Sequence, residues 1–157
     1  MYTASVITVS DRAFQRVYID QSGPAVCSML DKAGYEIVSV HIIPDEKNKI
    51  IDTLRAECEN GVDLIITTGG TGFAERDVTP EATLEVIERE APGSAEYMRM
   101  RSAAITPRAM LSRGVAGICG RSLIINLPGS PKGAGENLGF ILPHLGHGLD
   151  MLSGIKE

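Results

Sequence analysis

The chain has 157 residues, of which 43% are apolar and 22% charged, with no Trp. That length suits one domain with its own core, and the composition excludes a disordered, coiled-coil or collagen-like chain. A net charge of −5 argues against a broad nucleic-acid surface, and no apolar run approaches the ~20 residues of a membrane span.

Taken in chain order, the first predicted element is a β-branched strand, Ala4–Val9, which ends at Ser10-Asp11-Arg12. A helical pattern follows near Pro24, with Val26, Met29, Leu30 and Ala33 on one face and Gly34 as its stop. Glu36–Ile43 is a second strand, ended by Pro44. Ile50, Ile51, Leu54 and Cys58 mark a second amphipathic helix, and Val62–Thr68 is apolar enough to be a buried parallel strand. Thr79-Pro80-Glu81 predicts a helix start, with Thr79 as cap and Pro80 in the first helical position. That helix is expected to run to about Glu90, where Pro92-Gly93 breaks it. Another is expected over Ala95–Ile105, stopped by Thr106-Pro107. Val115–Ile118 and Ser122–Leu127 flank Cys119-Gly120-Arg121, a hairpin signal that makes one strand antiparallel. Leu138, Ile141, Leu142, Leu145, Leu149 and Leu152 give a last helix, with a break or kink expected at Pro143. The order of strands and helices predicts one three-layer α/β/α domain over residues 1–157, with a mostly parallel sheet and one antiparallel strand.

Two asymmetries mark the second half. Fifteen of the 17 glycines lie in residues 61–157. Between Glu96 and Glu136 there is no acidic residue, while Arg99, Arg101, Arg108, Arg113, Arg121 and Lys132 are all basic. Such a stretch either focuses an anionic ligand or forms a solvated face or interface. Cys27, Cys58 and Cys119 form no C-x-x-C pair and read as small buried hydrophobes in a reducing compartment. His41, His144 and His147 are too scattered for a zinc site, although the last two could share a helix face. The N-terminal MYTASVITVSDR lacks a secretory pattern, so a cytoplasmic protein is expected.

Ligands of open α/β sheets bind beyond the carboxyl ends of the strands. Four polar or glycine-rich segments fall at such ends: Ser10-Asp11-Arg12, Pro44-Asp45, Thr67–Asp77 and Asn126–Lys132. Gly69-Gly70-Thr71-Gly72 is either a tight turn or a backbone cradle for an anion, and it matches neither a Walker A loop nor a G-x-G-x-x-G fingerprint. Asp77 and Asp45 read as turn or capping residues, or as a carboxylate pair for Mg²⁺. Ser130-Pro131 reads as a helix start whose N–H groups could receive a phosphate, with Lys132 alongside.

The runs TTGGTGFAERDVTPEAT (Thr67–Thr83) and LPGSPKGAGENL (Leu127–Leu138) closely resemble the MogA/MoaB-type molybdopterin-binding family. VSDR (Val9–Arg12), DQSGP (Asp20–Pro24), IPDE (Ile43–Glu46) and AMLSRG (Ala109–Gly114) extend the resemblance over nearly the whole chain. It implies molybdopterin adenylyltransferase activity in molybdenum cofactor biosynthesis: ATP as co-substrate, Mg²⁺ assisting, AMP joined to the terminal phosphate of molybdopterin and pyrophosphate released. The alternative is a non-catalytic paralogue that binds molybdopterin or a protein partner. Carried over by motif, Asp45 and Asp77 are the catalytic, metal-holding carboxylates. Ser10, Asp11, Gly69, Gly70, Thr71, Gly72, Asn126, Pro128, Gly129, Ser130 and Lys132 line the nucleotide and pterin walls. The resemblance further implies a homotrimer or dimer of trimers, and a downstream molybdenum-insertion protein as partner. Two departures stand out: Glu75 puts a negative charge beside the proposed phosphate site, and the Asp11–Asp20 segment lacks a glycine common in relatives.

Overall fold

The β-branched and aliphatic runs become the strands, and the i, i+3, i+4 patterns become the helices that cover them. The computed structural model describes residues 1–155. In chain order it contains β1 (Thr3–Val9), α1 (Asp11–Phe14), α2 (Ser22–Lys32), β2 (Glu36–Ile43), α3 (Lys47–Glu59) and β3 (Leu64–Thr68). These are followed by α4 (Thr79–Val86), β4 (Arg89–Glu90), α5 (Pro92–Ala103), a 3-10 segment (Pro107–Leu111), β5 (Ala116–Cys119), β6 (Ser122–Leu127) and α6 (Pro131–Ser153).

The six strands form one sheet in the order β2-β1-β3-β6-β5-β4. β1, β2, β3 and β6 pair in parallel, β5 pairs antiparallel to β6, and β4 pairs antiparallel to β5. β5 is therefore the one strand that runs against the rest, as the hairpin signal predicts. Side chains alternate across each strand. Val6, Leu64, Ile66, Ile125 and Leu127 face Val26 and Leu30 of α2, Met98 of α5 and Leu138, Ile141, Leu145 and Leu149 of α6. Ile7, Val9, Ile65 and Ile124 face Ile50, Ile51 and Leu54 of α3 and Ala82 and Val86 of α4. This is the expected three-layer arrangement. Its parallel strands all deliver their carboxyl ends to the same edge of the sheet.

Four local expectations are corrected. α4 starts at Thr79 with Val78 as the cap position and no side-chain capping bond, so Thr79 is inside the first turn. α4 also ends at Val86, well short of Glu90. Ile87 turns extended, and Glu88 and Ala91 donate backbone bonds to Ile118 and Ala116. The unpaired edge of β5 captures this segment as β4. Pro92 does not break a helix but opens α5 in its first turn, where its missing N–H has no consequence. Finally, α6 runs unbroken through Pro143. Both Pro143 and Gly139, whose carbonyl would have accepted the missing bond, are exposed, so water reaches that carbonyl.

Candidate active site

At the carboxyl edge of the sheet, β1, β2, β3 and β6 hand over to Ser10, Pro44-Asp45, Gly69-Gly70 and Pro128-Gly129. The ladder persists one step beyond the strands: Ser10 N donates to Ile43 O at 2.9 Å and Gly69 N donates to Leu127 O at 3.1 Å. Gly69 has φ +91°, and a Cβ there would lie 2.3 Å from the Val9 carbonyl. Gly70 has φ +69°, and a Cβ would lie 2.2 Å from Thr79 Oγ1 and 3.2 Å from Asp45 Oδ1. Any side chain would displace the Val9 carbonyl at the first position and the Thr79 hydroxyl at the second, in a backbone conformation that side chains rarely adopt.

Between these ends lies a cleft of about 240 Å³ lined by Thr8, Val9, Ser10, Tyr18, Ser22, Asp45, Thr68, Gly69, Gly70, Asp77 and Gly129. Six of the residues singled out from the sequence meet here: Ser10, Asp45, Gly69, Gly70, Asp77 and Gly129. The polar side chains that line the cleft all offer oxygen, the donor set of a hard cation such as Mg²⁺. Among the described residues no cluster of three or more His, Cys, Asp or Glu could cage a metal alone. Two carboxylates with open cleft between them suit a cation shared with a ligand's phosphates.

The two carboxylates are held differently. Asp45 Oδ2 accepts from Asp11 N at 2.8 Å, and Asp11 Oδ1 accepts from Asp45 N at 3.0 Å, a reciprocal clasp between the β1 and β2 ends. Arg76 grips Asp11 from outside with two bonds, Nε to Oδ2 at 2.6 Å and Nη2 to Oδ1 at 3.0 Å. That guanidinium, foremost among the influences on Asp11, holds its carboxyl below the ordinary range. Asp45 is pushed the other way: burial first, and repulsion from Asp11 and Asp77 after it, raise its carboxyl despite the Asp11 backbone bond. Asp77 Oδ2 accepts from Ala74 N at 3.0 Å and so closes the turn of its own loop.

The remaining sequence candidates lie behind or beside the cleft. Asp11 positions Asp45. Thr71 is buried, and its carbonyl and that of Gly72 accept from Arg113 N and Nε, both at 2.8 Å. Asn126 is buried beneath the sheet edge. Its amide donates to Thr67 Oγ1 and Thr83 Oγ1, each at 3.0 Å, and accepts from Val115 N at 3.1 Å. It therefore ties β3, β6 and α4 together. Pro128 lines a separate small void between α5, α6 and β6. Ser130 caps α6 by accepting from Gly133 N at 3.0 Å. Lys132 is 82% exposed and lies 3.8 Å from Glu136. Glu75 is exposed in a neighbouring hollow with Lys47, Phe73, Glu81 and Arg113.

Four arginines of the basic stretch have structural partners. Arg113 pins the glycine loop, donating also to the Asp77 carbonyl at 2.6 Å and pairing with Glu81. Arg99 holds the Gly114 carbonyl at 2.7 Å, Arg101 stacks on Tyr97 and Phe140, and Arg121 holds the Ser153 carbonyl at 3.0 Å. The cleft's floor is built from residues outside the candidates read from the sequence. Asp20 accepts from Thr8 Oγ1 at 2.7 Å, from Ser22 Oγ at 3.0 Å and from Ser22 N at 3.1 Å, while Ser22 Oγ lies 3.1 Å from Thr68 Oγ1. The signal was present as the DQSGP run together with hydroxyl residues near the ends of β1 and β3.

The family model described as "Probable molybdopterin binding domain" matches residues 5–147. The chain belongs to this molybdopterin-binding family. Among its relatives, the molybdopterin adenylyltransferase of Helicobacter pylori J99 is 44% identical over 95% of this chain and 86% of its own length. That of Haemophilus influenzae Rd is 47% identical over 85% of this chain and 69% of its own. The crystal structure of the molybdopterin biosynthesis enzyme MoaB from Thermus thermophilus superposes with a TM-score of 0.93 at 47% identity, covering 98% of both chains. The family membership accounts for the long GGTG…RDVTPEAT signature, which here supplies the glycine turn and Asp77 of the cleft.

Proposed function

We propose that the protein is a molybdopterin adenylyltransferase of molybdenum cofactor biosynthesis that uses ATP with Mg²⁺. The observation that carries this reading is the meeting of Asp45, Asp77 and the Gly69-Gly70 turn in one oxygen-lined cleft at the sheet's carboxyl edge. The names of the relatives support the same chemistry.

In the reaction, an oxygen of molybdopterin's terminal phosphate attacks the α-phosphorus of ATP. The bond from that phosphorus to the bridging oxygen breaks, and pyrophosphate leaves with the electron pair. No protein nucleophile is required, so the protein acts by positioning and by charge. Asp45 and Asp77 would hold Mg²⁺, which supplies neutralisation of the phosphate charge when bound. The Gly69-Gly70 backbone lets phosphate oxygens approach closely. Asp11, itself held by Arg76, fixes Asp45, and Arg113 keeps the glycine loop in shape. With molybdopterin, ATP and Mg²⁺, the wild-type protein should release pyrophosphate. Asp77→Asn should cut that turnover by about a hundredfold or more with an unchanged circular dichroism spectrum. Full turnover in Asp77→Asn would remove Asp77 from the reaction.

We place the protein in the cytoplasm, where its three unpaired thiols suit a reducing medium. It acts there as a homotrimer or dimer of trimers that passes its adenylylated product to a molybdenum-insertion protein. An apolar groove of about 790 Å³ between α5, α6 and the β4–β5 end of the sheet, lined by Ile118, Leu123, Ile141 and Leu145, supports self-association.

A further inference from the structure

Thr79 sits where β3's glycine turn meets the first turn of α4, and its backbone is fully engaged. Its N–H donates to Gly70 O at 3.1 Å, and its carbonyl accepts from Thr83 Oγ1 at 2.8 Å. Its side chain is a different matter. The residue is 0% exposed, and Oγ1 is buried without a hydrogen-bond partner. Capping does not explain it, because Val78 occupies the cap position and no side-chain cap is made. Buried hydroxyls are normally satisfied, since leaving one unmade forfeits its bond to water.

The surroundings of this hydroxyl say what it is kept for. The position of a Cβ on Gly70 would be 2.2 Å from Thr79 Oγ1 and 3.2 Å from Asp45 Oδ1. Both oxygens thus converge on the same bare stretch of backbone. Asp45 Oδ2 is already taken by the Asp11 N–H, so Oδ1 is the oxygen on the Thr79 side. A hydroxyl rotor carries one donor and can turn it to a carboxylate that moves by a fraction of a side-chain rotation.

We propose that Thr79 is a positioning residue of this site, its buried hydroxyl reserved to donate to Asp45 Oδ1 when the cleft is loaded with a divalent cation and a nucleoside triphosphate. The bond fixes the carboxylate's orientation and leaves its remaining lone pairs to the cation. The inference rests on the metal–nucleotide reading of the cleft given above.

The test uses the full-length protein, Mn²⁺ and the non-cleavable α,β-methylene analogue of ATP, with binding read by titration calorimetry and by the Mn²⁺ paramagnetic resonance signal. Thr79→Val keeps the shape and removes the hydroxyl, and Thr79→Ser keeps the hydroxyl. In metal-free buffer Thr79→Val should melt no lower than wild type, because it discards an unpartnered group. Its affinity for Mn²⁺ with the analogue should fall about tenfold, and Thr79→Ser should bind close to wild type. A Thr79→Val protein that is destabilised or unfolded overturns the inference, since the hydroxyl would then have a partner in the free protein. Unchanged Mn²⁺ affinity in Thr79→Val overturns it as well, while leaving the metal–nucleotide reading intact. A wild-type protein that binds no Mn²⁺ with the analogue overturns both.

Discussion

Asp45 and Asp11 show how two carboxylates in contact are driven in opposite directions. Burial, followed by repulsion from Asp11 and Asp77, raises the Asp45 pKa, so the folded chain holds that proton more tightly than the unfolded chain does. The associated stability is fully present below about pH 4 and is lost as the pH rises through the folded-state value. Asp45→Asn removes that loss and still accepts from the Asp11 N–H. It should therefore melt above wild type at pH 7 in metal-free buffer, with the difference closing below about pH 4 in a calorimetric pH series. A lower melting temperature at pH 7 would mean that the ionised form is the better partner of its surroundings. The motif positions of Asp45 and Asp77 are legible in the sequence because each immediately follows a recognisable strand or loop signal. The roles of Asn126 and Asp11 are not. Both are polar and lie near strand ends, yet their bonding goes to Thr67, Thr83 and Arg76, partners that only the tertiary fold brings within reach.

The elements read well where local pattern and tertiary demand agree. β2 was legible to the residue because a β-branched run meets a proline, and α2 was legible because its apolar face and Gly34 fix face and end. The segment Ile87–Glu90 was not legible: its helical periodicity loses to the open edge of β5, which offers it backbone partners. Pro143 shows tertiary packing overriding a local signal in the other direction. Leu138, Ile141, Leu145 and Leu149 anchor α6 to the sheet on both sides of the proline, and this burial outweighs the missing bond. Pro143 is exposed, so Pro143→Ala should restore the bond to the Gly139 carbonyl with little loss of packing. The expected gain is up to about 3 kcal/mol by urea denaturation. No gain would show that the ring itself contributes to packing against Tyr35 and Leu142, beside which it lies.

For the molecule as a whole, topology makes the site. Four parallel strands deliver Ser10, Asp45, Gly69 and Gly129 to one edge, and α4 and Arg113 hold the intervening loop against them. From the sequence, the basic stretch reads either as a focus for an anionic ligand or as a solvated face or interface. The fold instead spends Arg99, Arg113 and Arg121 on backbone carbonyls, which composition does not reveal. Self-association through the groove between α5 and α6 predicts a mass of three or six times 16.8 kDa by light scattering, whereas a monomer mass would exclude it. Labelled ATP decides most directly which phosphorus is attacked. Wild-type protein given molybdopterin, Mg²⁺ and ATP labelled at the α-phosphate should transfer the label to the pterin, whereas label at the γ-phosphate should leave entirely in pyrophosphate. Pterin product that carries γ-label, or no label from either position, would contradict the account.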